Sequence, residues 1–134
     1  KTKLFDGMAA LLDKLDGAAI PWGIVTNKRA RFTDPLVAAL YLSQRAACVV
    51  SGDTTPETKP SPLPILHACH VLGRHPGATL YVGDDRRDII AGRAAGTKTA
   101  AAAYGYLGDS GPLELWNADF IVNHPDELAC RIFA

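Results

Sequence analysis

Five short apolar runs, at residues 20–25, 46–50, 79–82, 97–102 and 119–122, recur along the chain with helix-length segments between them. No other feature restricts the fold as much. Apolar runs bounded by Gly, Asn, Asp and Ser read as strands, and strands alternating with helices of roughly 8–12 residues are joined by crossover connections. The expected architecture is therefore α/β, with a mainly parallel sheet flanked by helices.

The intervening segments carry helical signals. Met8, Leu11, Leu12 and Leu15 form an i, i+3, i+4, i+7 stripe over residues 6–16, and Gly17 ends it. Thr33 and Pro35 open a second helix that carries Leu36, Ala39 and Leu40, with the proline in its first turn. Pro62 or Pro64 starts a third, with Ile65, Cys69 and Leu72 on one side and Gly73 as its stop. Residues 86–95 form a fourth, with Ile89, Ile90 and Ala94 facing inward, and residues 125–132 a fifth. Residues 103–117 read as loop, and their Tyr104-Gly105-Tyr106 follows a strand, placing it as a candidate lining of a ligand entrance. No internal repeat or low-complexity segment interrupts the pattern. The chain opens directly on a helix, whereas such units usually open on a strand.

With 134 residues, 48% of them hydrophobic, the chain holds one sizeable core. Fourteen basic and fourteen acidic residues cancel, which leaves no basic face for nucleic acid or an anionic membrane. No apolar run approaches the ~18–20 residues needed to span a bilayer, and the amino terminus carries no signal-peptide pattern. Cys48, Cys69 and Cys130 are odd in number and scattered. They read as reduced core residues of a cytoplasmic protein.

Chemistry concentrates where apolar runs end. Leu80, Tyr81 and Val82 lead into Gly83, and three carboxylates follow within five positions, Asp84, Asp85 and Asp88. In open parallel sheets ligands bind at this rim, beyond the carboxyl ends of the strands. Oxygen-only side chains there suit a hard cation such as Mg²⁺. Two earlier runs end in Thr26-Asn27 and Ser51-Gly52-Asp53, and Lys59 lies in the threonine- and proline-rich loop that follows. Parallel strands bring all of these to one rim. Hydroxyl and amide donors, a fixed cation and a carboxylate set together suit phosphoryl chemistry, in which charge on the equatorial oxygens must be neutralised. Thr26 is placed to bind a phosphate oxygen, with Asn27 beside it contacting phosphate or orienting the loop. Lys59 neutralises charge, Asp84 holds the metal directly, Asp88 holds it through water, and the role of Asp85 stays open.

Other candidates are weaker. His67 and His70 are three apart on one helix but lack a third zinc ligand at suitable spacing, and His75 and His124 sit beside prolines in loops that are expected to be exposed. Trp22 and Trp116 read as packing residues. Walker-type and dinucleotide glycine fingerprints are absent. A two-component receiver domain uses similar residues, but there the acidic pair comes first; here the order is Thr, Lys, acidic cluster.

These residues resemble the haloacid dehalogenase superfamily of phosphatases. Gly23-Ile24-Val25-Thr26-Asn27 is similar to its second motif, Lys59-Pro60-Ser61-Pro62 to its third, and Tyr81-Val82-Gly83-Asp84 through Asp88 to its fourth. The resemblance runs along nearly the whole chain and looks nearest the phosphoglycolate phosphatase-like group. Thr26-Asn27-Lys28 with Arg31-Phe32, and Ala95-Gly96-Thr97 through Tyr104-Gly105-Tyr106, look like its N-acetylmuramic acid 6-phosphate phosphatase branch.

The resemblance implies a Mg²⁺-dependent phosphomonoester hydrolase of a small phosphorylated metabolite, working through an aspartyl-phosphate intermediate. It assigns Thr26 and Lys59 to catalysis, Thr26, Asn27 and Lys59 to substrate, and Asp84 and Asp88 to the metal. The family's Asp-x-Asp motif, which supplies the nucleophile, does not occur in these residues, nor does the helical cap domain that follows it. The resemblance therefore implies that residues 1–134 form part of a core domain. Its missing strand is expected between those at 80–82 and 22–25. An inactive fragment, or a binding or regulatory module, is the alternative reading.

Overall fold

Each apolar run becomes a strand, and every strand but the third is shorter than its run. The computed structural model, which describes residues 4–106, 108 and 111–133, contains β1 (Gly23–Val25), β2 (Cys48–Val50), β3 (Leu80–Gly83), β4 (Lys98–Ala102) and β5 (Phe120–Val122). Ile20 is withdrawn from the first run because its N–H bonds the Leu15 carbonyl at 2.9 Å and closes the preceding helix. All pairings are parallel, with Val25 opposite Val50, Gly83 opposite Ala101 and Ala102 opposite Val122.

The sheet is interrupted where a missing strand is expected, between β3 and β1. Among the described residues the strands make two parallel sheets, β1–β2 and β3–β4–β5. The side chain of Tyr81 fills part of the space between them, its hydroxyl donating to the Val25 carbonyl at 3.3 Å. Strands joined by a backbone ladder lie ~4.8 Å apart and leave no room for a phenol ring in that direction.

Helices α1 (Met8–Gly17), α2 (Ala30–Ala39), α3 (Leu63–Leu72), α4 (Arg86–Ala95) and α5 (Pro125–Ile132) cover both faces. Leu11, Leu12 and Leu15 of α1 pack with Val37 of α2 and Leu128 of α5 against Ala100 and Val122, with Ile24 and Val82 at the margin. Ile65 and Cys69 of α3 pack with Ala91 and Ala95 of α4 on the other face, against Val25 and Tyr81. A third cluster joins Ile89, Ala101 and Trp116, so Trp116 is a packing residue as expected. Trp22 is half-buried, its indole donating to Asp16 at 2.9 Å.

Several local expectations change. Helix α2 begins at Ala30, not at Thr33 and Pro35, because Asp53 reaches across to accept the Ala30 N–H at 2.9 Å. Pro35 thus lies inside the helix, on its exposed side, and its missing N–H removes one helical hydrogen bond. In α4 the inward residues are Asp88, Ile89, Ala91, Gly92 and Ala95, whereas Ile90 and Ala94 face solvent. The three cysteines are free thiols, but only Cys69 is buried; Cys48 is half-buried and Cys130 is exposed on α5. His124 is half-buried against Gly7 and accepts the Asp126 N–H at 3.1 Å, whereas His67, His70 and His75 are exposed. Within the expected 103–117 loop, residues 103–105 and 113–116 form short 3-10 turns, and Leu107, Asp109 and Ser110 lie outside the described residues. No helix among the described residues is long and apolar enough to cross a membrane.

Candidate active site

The carboxyl ends of β1, β2 and β3 meet at one rim. Residue Thr26 continues β1, its N–H bonding the Val50 carbonyl at 2.9 Å. Its hydroxyl oxygen accepts from the Lys28 N–H at 3.2 Å, which leaves the hydroxyl proton available for a ligand oxygen. Asn27 next to it has a different task. Its side-chain oxygen accepts the Lys59 N–H at 3.0 Å and its amide donates to the Lys59 carbonyl at 3.1 Å. One planar amide thus clamps both backbone groups of a residue 32 positions away and fixes where Lys59 enters the site.

The Lys59 ammonium is fully engaged. Its three donors reach the Val25 carbonyl at 3.2 Å, the Tyr81 hydroxyl at 2.9 Å and Asp88 Oδ1 at 2.5 Å. The Lys59 and Asp88 side chains are 10% and 9% exposed, so this ion pair is shielded from water and screened little by salt.

The second oxygen of Asp88 accepts the N–H groups of Asp84 and Asp85, both at 3.2 Å. Asp85 occupies the N-cap of α4 and accepts the Arg87 N–H at 2.9 Å, and with Asp88 it completes a capping box. Burial opposes the charge on Asp85, but the Arg87 N–H and guanidinium more than offset it and hold its carboxyl below the usual range. Asp85 is therefore a helix cap. Gly83 makes this packing possible, since any side chain there would run into Asp88.

That leaves Asp84 as the carboxylate turned to solvent at the rim. Burial of part of its surface, then the nearby charge of Asp88, pushes its carboxyl up from the ordinary value. A cation would relieve both. The Tyr104-Gly105 turn closes over it: a methyl group on Gly105 would come within 2.5 Å of the Asp84 carboxylate. Burial and the charge of Asp84 also push the Tyr104 phenol up, and its ring meets Phe5 edge-on at 5.3 Å. Ser51 is buried, its N–H donating to the Thr54 hydroxyl, and Asp53 caps α2.

Asp84 and Asp88 form an oxygen-donor pair, and no group of three or more His, Cys, Asp or Glu suited to a metal occurs among the described residues. Such a pair fits Mg²⁺, which takes one or two carboxylates and completes its shell with water and phosphate oxygens. It does not fit Zn²⁺, which requires three or four protein ligands. The structure thus brings Lys59, Asp84 and Asp88 together beside Thr26, and separates Asn27 as the residue that holds the Lys59 loop. Sequence reasoning missed the hydroxyl of Tyr81, whereas the Tyr104-Gly105 turn lies at the rim where it was expected to line an entrance. The available signal for Tyr81 was a hydroxyl in a strand whose other side chains are apolar.

Comparison with known proteins gives the family of the chain. The family model of haloacid dehalogenase-like hydrolases matches residues 1–102. An N-acetylmuramic acid 6-phosphate phosphatase of Pseudomonas putida is 45% identical over 95% of this chain and 57% of its own length. A phosphoglycolate phosphatase of Xanthomonas campestris is also 45% identical, over 96% of this chain and 58% of its own. The crystal structure of a predicted phosphoglycolate phosphatase from Haemophilus somnus superposes with a TM-score of 0.88 at 27% identity, covering 98% of this chain and 57% of that one. The chain thus spans a little over half the length of the curated relatives it matches. On this match of sequence and fold, the chain belongs to the haloacid dehalogenase-like hydrolase family.

Proposed function

We propose that the complete protein is a Mg²⁺-dependent phosphomonoesterase acting on a small phosphorylated metabolite in the cytoplasm, and that residues 1–134 supply the phosphate- and metal-side groups of its site. The observation that carries this reading is the position of Lys59: its ammonium lies between the end of β1, which leads into Thr26, and Asp88 beside Asp84.

An aspartate outside this sequence attacks phosphorus, and the ester P–O bond breaks. A general acid, also outside this sequence, protonates the leaving alkoxide; as its conjugate base it then takes a proton from the water that releases phosphate from the aspartyl intermediate. Thr26 donates to a phosphate oxygen, and Lys59 neutralises developing charge on the transferring group. Asn27 keeps the Lys59 loop in register. Asp84 holds the metal directly and Asp88 holds it through water, while its own oxygens orient the turn. When bound, Mg²⁺ supplies charge stabilisation at the transferring phosphoryl group. The unpaired edges of β1 and β3 support a further strand between them in the complete protein. The names of its relatives make 2-phosphoglycolate and N-acetylmuramic acid 6-phosphate the substrates to try first.

The test is phosphate release by the complete protein from these two esters, with and without Mg²⁺, for wild type and Asp84→Asn. Mg²⁺-dependent release that Asp84→Asn abolishes is expected. Release that needs no Mg²⁺, or that survives in Asp84→Asn, removes the metal assignment, and no release from either ester or from p-nitrophenyl phosphate overturns the reading in favour of a binding module.

A further inference from the structure

Two turns interlock on the β2 side of β1, away from the edge at which a further strand is proposed. The turn after β1 carries Thr26, Asn27 and Lys28, and the turn after β2 carries Ser51, Gly52 and Asp53. Gly52 donates its N–H to the Lys28 carbonyl at 2.6 Å. It also lies against the Asn27 carbonyl: a methyl group on Gly52 would run into that oxygen and stand 3.3 Å from the Lys28 carbonyl oxygen. Both obstacles are backbone atoms, which cannot swing aside as the end of a long side chain can. Gly52 is not in the left-handed region, so close approach and not backbone conformation calls for a glycine.

Lys28 connects this contact to the chemistry. Its carbonyl is the one that Gly52 holds, and its N–H donates to the Thr26 hydroxyl oxygen at 3.2 Å. A threonine hydroxyl has one proton and two lone pairs and turns to suit its partners. With one lone pair engaged by the Lys28 N–H, the proton is directed elsewhere. The turn cannot back away from Gly52, because the Asn27 amide is fixed to both backbone groups of Lys59. We propose that Gly52 is a positioning residue: by admitting the β2 turn against the Asn27-Lys28 backbone, it sets the N–H that aims the Thr26 hydroxyl at a phosphate oxygen. This rests on the functional reading of Thr26 above. Asp53 in the same turn acts farther along, on the Ala30 N–H that starts α2, and so fixes the helix and not the hydroxyl.

The test uses the complete protein with p-nitrophenyl phosphate and Mg²⁺, and compares wild type, Gly52→Ala, Thr26→Val and the double variant. Thr26→Val should lower kcat/KM roughly 10–100-fold, the scale of one hydrogen bond to a charged oxygen. Gly52→Ala should lower it about tenfold or more, as a misplaced reacting group does. In the Thr26→Val background the same change should cost less than about twofold, because Gly52 acts through that hydroxyl. The Mg²⁺ concentration for half-maximal release should not move in Gly52→Ala, since Asp84 and Asp88 follow β3 and touch neither turn. Equal losses in both backgrounds, an unchanged kcat/KM in Gly52→Ala, or a shifted Mg²⁺ midpoint would overturn the proposal. So would loss of a cooperative melt in Gly52→Ala, which would make the glycine purely structural. A Thr26→Val protein with full activity would instead defeat the functional reading of Thr26, and the proposal with it.

Discussion

Gly105 lies directly against the Asp84 carboxylate, with no room for a methyl group between them. The pair joins the turn after β4 to the turn after β3, so the orientation of the solvent-facing carboxylate is set by a residue without a side chain. Gly105→Ala should displace Asp84 and raise the Mg²⁺ concentration for half-maximal phosphate release in the complete protein by roughly 10–100-fold, as expected of a sub-ångström to ångström misplacement. A Mg²⁺ titration of turnover checks it, and an unchanged midpoint would show that the turn yields instead.

Lys59→Ala should lower kcat about 10²–10³-fold, the scale of losing one charge-stabilising group. It should also destabilise the fold, since Asp88 is left buried with one oxygen unpaired. Breaking a buried pair typically costs ~3–5 kcal/mol. A value near the lower end is expected, because two backbone N–H groups still hold the other oxygen. Urea unfolding measures this, and a cost under about 1 kcal/mol would mean that the pair is solvated in solution.

Asp84 bears on pH dependence. Its carboxyl is pushed up by burial and by Asp88, so the folded state disfavours the charge that the unfolded state accepts. The sign follows from linkage: stability is highest below the unfolded carboxylate range and declines as pH rises through the raised folded value. Asp84→Asn should therefore melt higher than wild type at neutral pH without Mg²⁺, and the two should converge on acidification. Thermal melts at several pH values, with a chelator present, decide it; a lower melting temperature for Asp84→Asn at neutral pH would contradict the sign.

Asp53 separates fold from chemistry. The Ala30 N–H holds its carboxyl below the usual range, helped by Arg29 and Arg31. Here the linkage runs the other way: the stabilising contribution is present above the ordinary carboxylate range and disappears as pH falls through the depressed value. Asp53→Ala should lower the melting temperature at neutral pH, lose that difference in acid, and leave kcat within about twofold. A large fall in kcat with an unchanged melt would return Asp53 to the reacting groups.

The rim was legible because its residues follow strand ends in a regular way. Thr26, Lys59, Asp84 and Asp88 each occupy a position that the alternation of strands and helices brings to one side of the sheet. What escaped sequence reasoning depends on partners distant along the chain. The start of α2 could not be placed, since its first N–H is capped by Asp53, 23 residues on. Asn27 read either as a phosphate contact or as a residue orienting the loop, because nothing local shows that its amide closes on the Lys59 backbone. Tyr81 read as one more buried strand residue, because periodicity registers its ring and not the atom at its tip. The division into two sheets falls where the resemblance places a missing strand, between those at 80–82 and 22–25, although apolar runs alone do not say which strands pair.

That division has a mechanical meaning. A backbone ladder resists sliding at every residue, so groups at the ends of adjoining strands keep a fixed spacing. Within residues 1–134 taken alone, the tie across β1 and β3 at the rim is made by one phenol and one ammonium, both held at the Val25 carbonyl. The span between the Thr26 side and the Asp84 side is there governed by rotatable bonds, and a further strand between β1 and β3 would replace that tie with a ladder. Without that strand, exchanging a single side chain at the tie would change the reach of the rim while leaving every strand register intact.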